Sequence, residues 1–281
     1  MNKKLIALLL AAVMVIACFA LAACGNKTDD TATTDAANTS DAPAAESDLA
    51  YIQSKGKLVV GITDFAPMDF KEEGSEEWVG FDADLAKAFA NSLGVEVEFT
   101  EIDWDNKILE LDGKSIDCVW NGMTITDEVK SAMSVSDPYC KNAQVIVVPA
   151  DKAADYQTAE ACKDLQFAVE AGSAGQEVAE ENGFSVTEVK DQATALQEVA
   201  AGTSDAAIID LLMAGAMIGE GTGFSGLTYT AALNEEEYGV GFRKGSDLVT
   251  YFNTFYASEV QSGNVDKVAE QYGISVDTII K

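Results

Sequence analysis

The sequence of 281 residues contains no histidine. Without an imidazole, a Ser-His-Asp or Cys-His catalytic site cannot be built in its usual form, and metal sites that depend on histidine are excluded as well. Any general acid or base would have to be an aspartate or a glutamate. We expect no metal, no cofactor and no catalytic residue.

Positive charge is scarce. The chain has 18 lysines and arginines against 47 aspartates and glutamates, for a formal net charge of −29 at pH 7, and Arg243 is its only arginine. Nucleic-acid phosphates require clustered lysines and arginines, so a nucleic-acid partner is excluded. The excess of negative charge favours solubility and repulsion from anionic membrane surfaces.

Cysteine is scarce as well, and its five positions show no metal-ligand spacing. Cys18 lies in an N-terminal apolar run and Cys24 follows that run. Cys118, Cys140 and Cys162 remain for the rest of the chain. Oxidising conditions outside the cell would permit one disulfide, but the sequence does not indicate which pair would form it.

One long apolar run is present, Leu5–Ala20, and it follows Lys3 and Lys4. A positive start and a short apolar stretch are typical of a secretion signal, and the stretch is short for a membrane span. The run leads into Leu-Ala-Ala-Cys24, which resembles a lipobox and implies cleavage before Cys24 and lipidation of its sulfur. We predict a lipoprotein signal peptide over 1–23, with an uncleaved anchor helix as the alternative. Either way the rest of the chain lies outside the cytoplasm, and the lipid would anchor it to the extracellular face of the cell membrane.

The next segment, 24–47, is rich in Thr, Asp, Ala and Ser and has hardly any large apolar residues. Such a segment cannot bury enough surface to offset the entropy lost on ordering. We predict a disordered tether between the lipid and the folded body. The body that remains is long enough for one large or two modest domains.

Strand and helix patterns alternate along the body. Leu58–Ile62 is a short apolar run, and Asp82–Leu93 places apolar residues at four-residue spacing, as on one face of a helix. This alternation predicts an α/β fold with largely parallel sheets. Sites in such folds lie at the carboxyl ends of strands. Four candidate residues each follow a predicted strand: Asp64, Asn121, Gly172 and Asp210.

Several stretches resemble, in the same order, motifs of the family 3 extracellular solute-binding proteins of polar amino-acid ABC importers. They are Gly80–Lys87 (GFDADLAK), Asn121–Thr126 (NGMTIT), Ser136–Tyr139 (SDPY), Gly202–Asp210 (GTSDAAIID) and Tyr238–Gly245 (YGVGFRKG). Their order and spacing carry the resemblance, which spans about residue 49 to the C-terminus.

The resemblance implies the two-lobed type II periplasmic-binding-protein fold, with two hinge crossovers near 139–143 and 234–238. Lobe one would comprise 49–139 plus 239–281, and lobe two 143–234. The implied mechanism is capture of a solute in an open cleft, closure of the lobes, and docking of the closed form on a membrane permease. We expect a monomer that binds its ligand without acting as an enzyme.

The resemblance also implies ligand contacts. Asp210 matches the aspartate that binds the ligand ammonium, although it would also suit the N-cap of the helix that follows. Phe65 and Trp104 match aromatic cleft walls, with core packing as the alternative.

Backbone and hydroxyl contacts are implied for Asn121, Gly122 and Thr124; an ordinary turn residue is the alternative for Thr124. Ser173 lies at the start of a predicted helix, whose free amides can receive an anion.

Two positions depart from the family pattern. Val129 replaces the arginine that pairs with the ligand carboxylate, Arg243 matches a surface position, and Lys130 points about 100° away from Val129 on a helix. Glu170 stands where some relatives carry a basic or neutral residue, and with Asp64 and Asp210 it would make the cleft negative. We hypothesise a ligand with a cationic group that either lacks a carboxylate or binds it through backbone amides. In the alternative, Glu170 faces solvent.

The sequence thus predicts a lipid-anchored solute-binding protein that captures an amino acid or a related small amine and delivers it to an ABC permease. Two alternatives remain: a ligand-sensing surface lipoprotein, and a dehydratase-like enzyme on the same fold.

Overall fold

The computed structural model describes residues 47–281. The predicted signal peptide, the predicted lipidation site Cys24 and the predicted tether up to residue 46 lie outside the described residues. Ser47 accepts a hydrogen bond from the backbone amide of Ala50 at 3.1 Å and so caps the first helix. Within 47–281, no helix is both long and apolar enough to cross a membrane.

The α-helices of the described part are short to medium in length. They are α1 (Asp48–Lys55), α2 (Phe81–Ser92), α3 (Lys107–Asp112), α4 (Asp127–Ala132), α5 (Ala174–Glu181), α6 (Gln192–Ala201), α7 (Leu211–Met217), α8 (Leu248–Ser262) and α9 (Asn264–Gln271).

Two five-stranded sheets organise the chain, one in each of two lobes. The strands are β1 (Lys57–Ile62), β2 (Phe70–Lys71), β3 (Trp78–Val79), β4 (Glu96–Glu101), β5 (Cys118–Val119), β6 (Ser134–Val135), β7 (Cys140–Asn142), β8 (Gln144–Pro149), β9 (Gln166–Glu170), β10 (Ser185–Val189), β11 (Ala206–Asp210), β12 (Leu227–Ala232), β13 (Glu236–Tyr238) and β14 (Gly241–Phe242). The first sheet has the order β4-β1-β5-β14-β6 and the second β10-β9-β11-β8-β12. We call the parts that carry them the first lobe and the second lobe. The predicted two-lobed α/β fold is confirmed.

The sheets are mixed, so the prediction of largely parallel sheets is only partly right. β1 pairs in parallel with β4 and β5, and β9 pairs in parallel with β10 and β11. In contrast, β8 and β14 pair antiparallel with their neighbours. A parallel pair needs a long, usually helical crossover, whereas β8 and β14 directly follow the short strands that leave the other lobe.

Helix α2 illustrates how the apolar spacing fixes packing. Leu85 and Phe89 are fully buried on one face, as their four-residue spacing predicts. Gly80 precedes the helix with φ of 131°, and a Cβ there would lie 2.1 Å from the carbonyl oxygen of Met68. Only glycine fits this close approach. In the helix that follows, Asp82 contacts the loop after β5 and accepts a hydrogen bond from the amide of Gly122.

Two short strands link the lobes and pair with each other. In this antiparallel ladder Cys140 lies opposite Tyr238, and Asn142 lies opposite Glu236. The three cysteines of the described residues are free and buried, so none of the disulfides that the sequence left open is formed among them.

Arg243 is buried, with 8% of its surface exposed, so the expectation of a surface position is wrong. Its guanidinium donates to Asp48 at 2.9 and 3.0 Å and to the carbonyl oxygen of Ile116 at 2.8 Å. It also faces the fully buried Asp117 at 3.4 Å, which accepts from the amide of Val59 at 2.7 Å. This cluster ties α1 and β1 to the residue that follows β14.

We expect Arg243→Met to destabilise the fold by about 3–5 kcal/mol, because it leaves buried carboxylates without their guanidinium. Urea unfolding of the purified protein measures this. Lys163→Met is the control: its pair with Glu160 is exposed to water, so the free energy of unfolding should barely change. Equal effects of the two substitutions would contradict the role of the buried cluster.

Candidate functional site

A cavity of about 290 Å³ lies between the lobes, at the carboxyl ends of strands from both sheets. Eight of the nine predicted ligand residues line it: Phe65, Trp104, Asn121, Gly122, Thr124, Glu170, Ser173 and Asp210. Lys107, Met123, Thr126, Glu128, Val129, Gly172, Ala174, Gln176, Glu177, Glu180 and Gln192 complete the lining. Residues far apart in sequence therefore meet at one site.

Asp64 is the exception, because it does not belong to this lining. Its neighbour Thr63 turns inward and bonds Asn121, so Asp64, next along the chain, points outward and is exposed. Partial burial, followed by the charges of Asp191 and Glu101, raises the pKa of its carboxyl group. The structure places Asp64 outside the cavity rather than among its carboxylates.

The aromatic walls combine the two roles that the sequence left open. Phe65 and Trp104 keep only 4% and 8% of their surface exposed, and both border the cavity. The ring of Phe65 lies edge-on to Tyr238, with 6.4 Å between ring centres. These side chains are part of the core and also offer apolar surface to a ligand.

The floor of the cavity is held by groups that already have partners. The side-chain oxygen of Asn121 accepts from the amide and hydroxyl of Thr63 at 3.0 and 2.7 Å, and its nitrogen donates to Asp69 at 2.8 Å. The amide of Gly122 donates to Asp82 at 2.7 Å. In this arrangement these polar groups position the floor and are not free to contact a ligand.

Gly122 itself is required by the close approach of Phe65. Its φ is 56°, and a Cβ at this position would lie 2.5 Å from Cε1 of Phe65. Glycine therefore permits both the left-handed backbone and the placement of the aromatic ring.

Thr124 and Ser173 face the cavity from opposite lobes. The hydroxyl of Thr124 donates to Glu236 at 2.9 Å. The Ser173 oxygen accepts from the amide of Gln176 at 3.1 Å and thereby caps α5.

Asp210 is the most heavily hydrogen-bonded carboxylate of the cavity. It accepts from the hydroxyl of Tyr238 at 2.7 Å and from three side-chain amides, those of Asn142, Gln144 and Gln192. It stands at the N-cap position of α7, but its side chain caps no amide there. Burial, and next the charge of Glu236, raise the pKa of Asp210 to about 8.

Glu170 is buried at the end of β9, with 3% of its surface exposed. The alternative that it faces solvent is therefore wrong. Its Oε1 atom has no hydrogen-bond partner among the described residues. Burial, followed by the charges of Asp210 and Asp191, raises the pKa of Glu170 to about 8. A buried carboxyl oxygen without a donor leaves room for a hydrogen-bond donor from a bound molecule.

Lys107 is a cavity residue that sequence reasoning missed. Its side chain is 4% exposed, and its Nζ donates to the carbonyl oxygens of Gly172 at 2.7 Å and Trp104 at 3.4 Å. Burial lowers its pKa, against the charges of nearby carboxylates. The available signal was its position three residues after Trp104, which places both side chains on one face of a helical turn.

Val129 is buried in an apolar cluster with Trp104 and Met123 and borders the cavity. Lys130, beside it in sequence, is exposed and faces Asp127 at 3.6 Å. The cation of this cavity is therefore Lys107 and not Lys130.

The two lobes touch around the cavity. Lys190 of the second lobe pairs with Glu101 of the first at 2.7 Å. Gly172 has φ of 70°, and a Cβ there would lie 2.7 Å from the Cα atom of Asp105. The cavity is thus enclosed by contacts that only both lobes together provide.

The sequence model of the bacterial extracellular solute-binding proteins, family 3, matches residues 58–275. This chain belongs to that family, whose members include amino-acid-binding proteins of ABC importers. The arginine-binding extracellular protein ArtP of Bacillus subtilis is 30% identical over 276 residues, which cover 96% of this chain and 98% of ArtP.

Solved structures agree with this assignment. A mutant of ArgBP from T. maritima is 34% identical with a TM-score of 0.75, and the match covers 80% of this chain and 98% of ArgBP. AncCDT-1, an ancestral amino acid-binding protein and precursor of cyclohexadienyl dehydratase, is 32% identical with a TM-score of 0.73, covering 80% of this chain and 99% of AncCDT-1. The predicted family is confirmed.

The raised pKa of Glu170 should make the stability of the protein depend on pH. The folded state keeps a proton up to about pH 8, whereas the unfolded chain releases it near the ordinary value of 4.5. The free energy of unfolding should therefore fall as pH rises between these values, by at most about 1.4 kcal/mol per pH unit from this group. Glu170→Gln should make the decline shallower, as measured by urea unfolding at pH 5, 6, 7 and 8.

Glu177→Gln is the matched control, since Glu177 borders the same cavity but is exposed. Its pH profile should stay close to that of the unsubstituted protein. Parallel profiles for all three proteins would rule out Glu170 as the source of the slope.

Proposed function

We propose that this protein is a lipid-anchored extracellular solute-binding protein that captures an amino acid or a related small amine by hinge closure and delivers it to an ABC permease. It acts as a monomer without a cofactor and leaves the ligand chemically unchanged. The observation that carries the proposal is the cavity between the lobes. In it, a carboxylate oxygen of Glu170 that has no hydrogen-bond partner within residues 47–281 lies with the rings of Phe65 and Trp104.

The chemistry of the cavity suits a small ammonium-bearing solute. An ammonium would give Glu170 the donor that it lacks, and a buried ion pair of this kind is favourable only when its hydrogen bonds are satisfied. Asp210 lies close enough for its charge to raise the pKa of Glu170. The aromatic rings add packing and cation–π attraction for the rest of the ligand.

Closure follows from the distribution of these groups. Phe65 and Trp104 belong to the first lobe, while Glu170, Ser173 and Asp210 belong to the second. A solute that contacts both sets binds the closed form better than the open form, and this difference in affinity drives closure. A closed form then presents a defined surface to a permease.

The location of the protein is proposed from its family and its N-terminus. The family is described as extracellular, and the predicted signal peptide with Cys24 would leave the mature chain tethered by lipid. A tethered binding protein stays near its permease without a membrane-spanning segment of its own.

An arginine-like ligand is the first to test. ArtP is named for arginine, and L-arginine carries a second cation that suits an acidic cavity. Thermal unfolding of the purified chain would be followed with L-arginine, L-histidine, L-glutamine, their decarboxylated amines, and glucose as a negative control. A ligand at 100 times its Kd should stabilise by about 2.7 kcal/mol and shift Tm by several degrees. The absence of a shift with every amino acid and amine would refute the proposal.

The ligand role of Glu170 has a separate test. Glu170→Gln should weaken binding of the best ligand of that panel by about tenfold or more, because a charge-assisted hydrogen bond is lost. Isothermal titration calorimetry measures the Kd. Asp64→Asn is the matched control: it removes a carboxylate that lies outside the cavity, so Kd should not change. A Kd unaffected by Glu170→Gln would remove this residue from the ligand site.

A dehydratase-like enzyme is a second candidate, on one observation. A buried carboxyl group whose pKa is raised to about 8, as in Glu170, stays protonated at neutral pH and could act as a general acid. AncCDT-1, to which this chain is similar, is an amino acid-binding protein and a precursor of cyclohexadienyl dehydratase. NMR of the bound solute after prolonged incubation decides between the two, since a binding protein returns it unaltered.

A further inference from the structure

Lys107 is the only lysine or arginine among the residues that line the cavity in the described part of the chain. Its ammonium is buried, and no described carboxylate forms a salt bridge with it. Its acceptors are two neutral carbonyl oxygens, of Trp104 and Gly172. The charges of Glu128 and Glu170 act on this cation from a distance, but it has no direct anionic partner among the described residues, and a buried cation is best compensated by one.

One of the three N–H groups of the Lys107 ammonium has no hydrogen-bond acceptor among the described residues. A protonated lysine carries three N–H groups, and two of them are directed to the carbonyl oxygens of Trp104 and Gly172. The side chain borders the cavity, so the third N–H is available to a ligand acceptor there. An anionic acceptor would supply the charge that the carbonyl oxygens do not.

The position of Lys107 compensates for Val129. Val129 stands where the arginine that pairs with the ligand carboxylate is expected, and its side chain packs with Trp104 in one apolar cluster. Lys107 lies one helical turn after Trp104 and places its Nζ 5.1 Å from the centre of that ring. Helix α4 brings no cation to the cavity, because Lys130 does not line it, whereas Lys107 of α3 does.

The bond to Gly172 places Lys107 at the boundary between the lobes. Gly172 and Ser173 lead into α5, whose N-terminal end carries a partial positive charge. A carboxylate at this boundary would contact the ammonium from the first lobe and the start of α5 from the second. Glu170, whose charge acts on Lys107, is the acceptor that remains for a ligand ammonium.

We propose that Lys107 binds the ligand carboxylate in place of the arginine that Val129 replaces, so that the solute is a zwitterionic amino acid and not a carboxylate-free amine. This inference rests on the proposed function and specifies the ligand class of the same cavity. It replaces the earlier hypothesis of a ligand that lacks a carboxylate or relies on backbone amides alone.

The experiment compares ligands that differ only in the carboxylate. The probes are L-arginine with agmatine, L-histidine with histamine and L-lysine with cadaverine, and Kd is measured by calorimetry on the purified full-length chain. For at least one pair, the unsubstituted protein should bind the amino acid at least about thirtyfold more tightly than the matched amine. Equal or tighter binding of the amine in every pair that binds would overturn the inference without any substitution.

Lys107→Met then assigns the preference to this residue. It should weaken binding of the amino acid about thirtyfold or more while changing binding of the matched amine little, so that the preference collapses. If Lys107 only ties α3 to Gly172, both ligands should weaken equally and the preference should persist, which would overturn the inference. Lys107→Gln repeats the measurement with a second neutral side chain if the Met variant does not fold.

Lys130→Met is the control for general charge effects. It removes a neighbouring but exposed lysine, and the preference for the amino acid should persist. Failure of all amino acids and amines to bind the unsubstituted protein would refute the proposed function itself, and the inference with it. Binding of amino acids without dependence on Lys107 would refute only the inference.

Discussion

The structure depends on how buried charge is satisfied between the lobes. Asp210 ends a strand of the second lobe, yet its carboxylate accepts from Tyr238 and Asn142, which lie on the two strands that link the lobes. Asn142 also donates to Glu236 at 2.6 Å. Because a carboxylate buried at this depth needs its donors, a shift of the linking strands would disturb Asp210. The cavity and the two linking strands therefore share one hydrogen-bond network.

The same need of buried polar groups for hydrogen-bond partners explains why the cavity residues differ in their roles. The polar groups of Asn121 and Gly122 form hydrogen bonds with Thr63 and with the buried carboxylates of Asp69 and Asp82. These two residues therefore shape the cavity floor. Glu170 retains an oxygen without a donor among the described residues. Groups that are fully satisfied by the protein give the cavity its form, and under the proposed function the incompletely satisfied groups would contribute the affinity for a ligand.

Much of this arrangement could be predicted from the sequence, the helices and strands from local periodicity and the cavity residues from the resemblance to the family. The spacing of Leu85 and Phe89 identifies α2, and the motif that contains Asn121 marks the cavity floor. The burial of Lys107 and Arg243 could not be predicted, since long charged side chains are usually exposed. Their burial depends on acceptors 65 and up to 195 residues away in the chain, and no local pattern encodes such contacts. The exposure of Asp64 was missed because a position just after a predicted strand does not specify which way the side chain points.

The charge of the cavity lining limits which amino acids it can favour. Five carboxylates border the cavity, Glu128, Glu170, Glu177, Glu180 and Asp210, against the single ammonium of Lys107. The raised pKa values of Glu170 and Asp210 reduce this imbalance at neutral pH but do not remove it. A zwitterion with a neutral side chain brings no net charge, whereas a basic amino acid brings one cation more. That extra cation is attracted to the carboxylates of the lining, weakly to the exposed Glu128, Glu177 and Glu180 and more strongly to the buried pair Glu170 and Asp210. Basic amino acids should therefore be preferred over neutral ones of similar size.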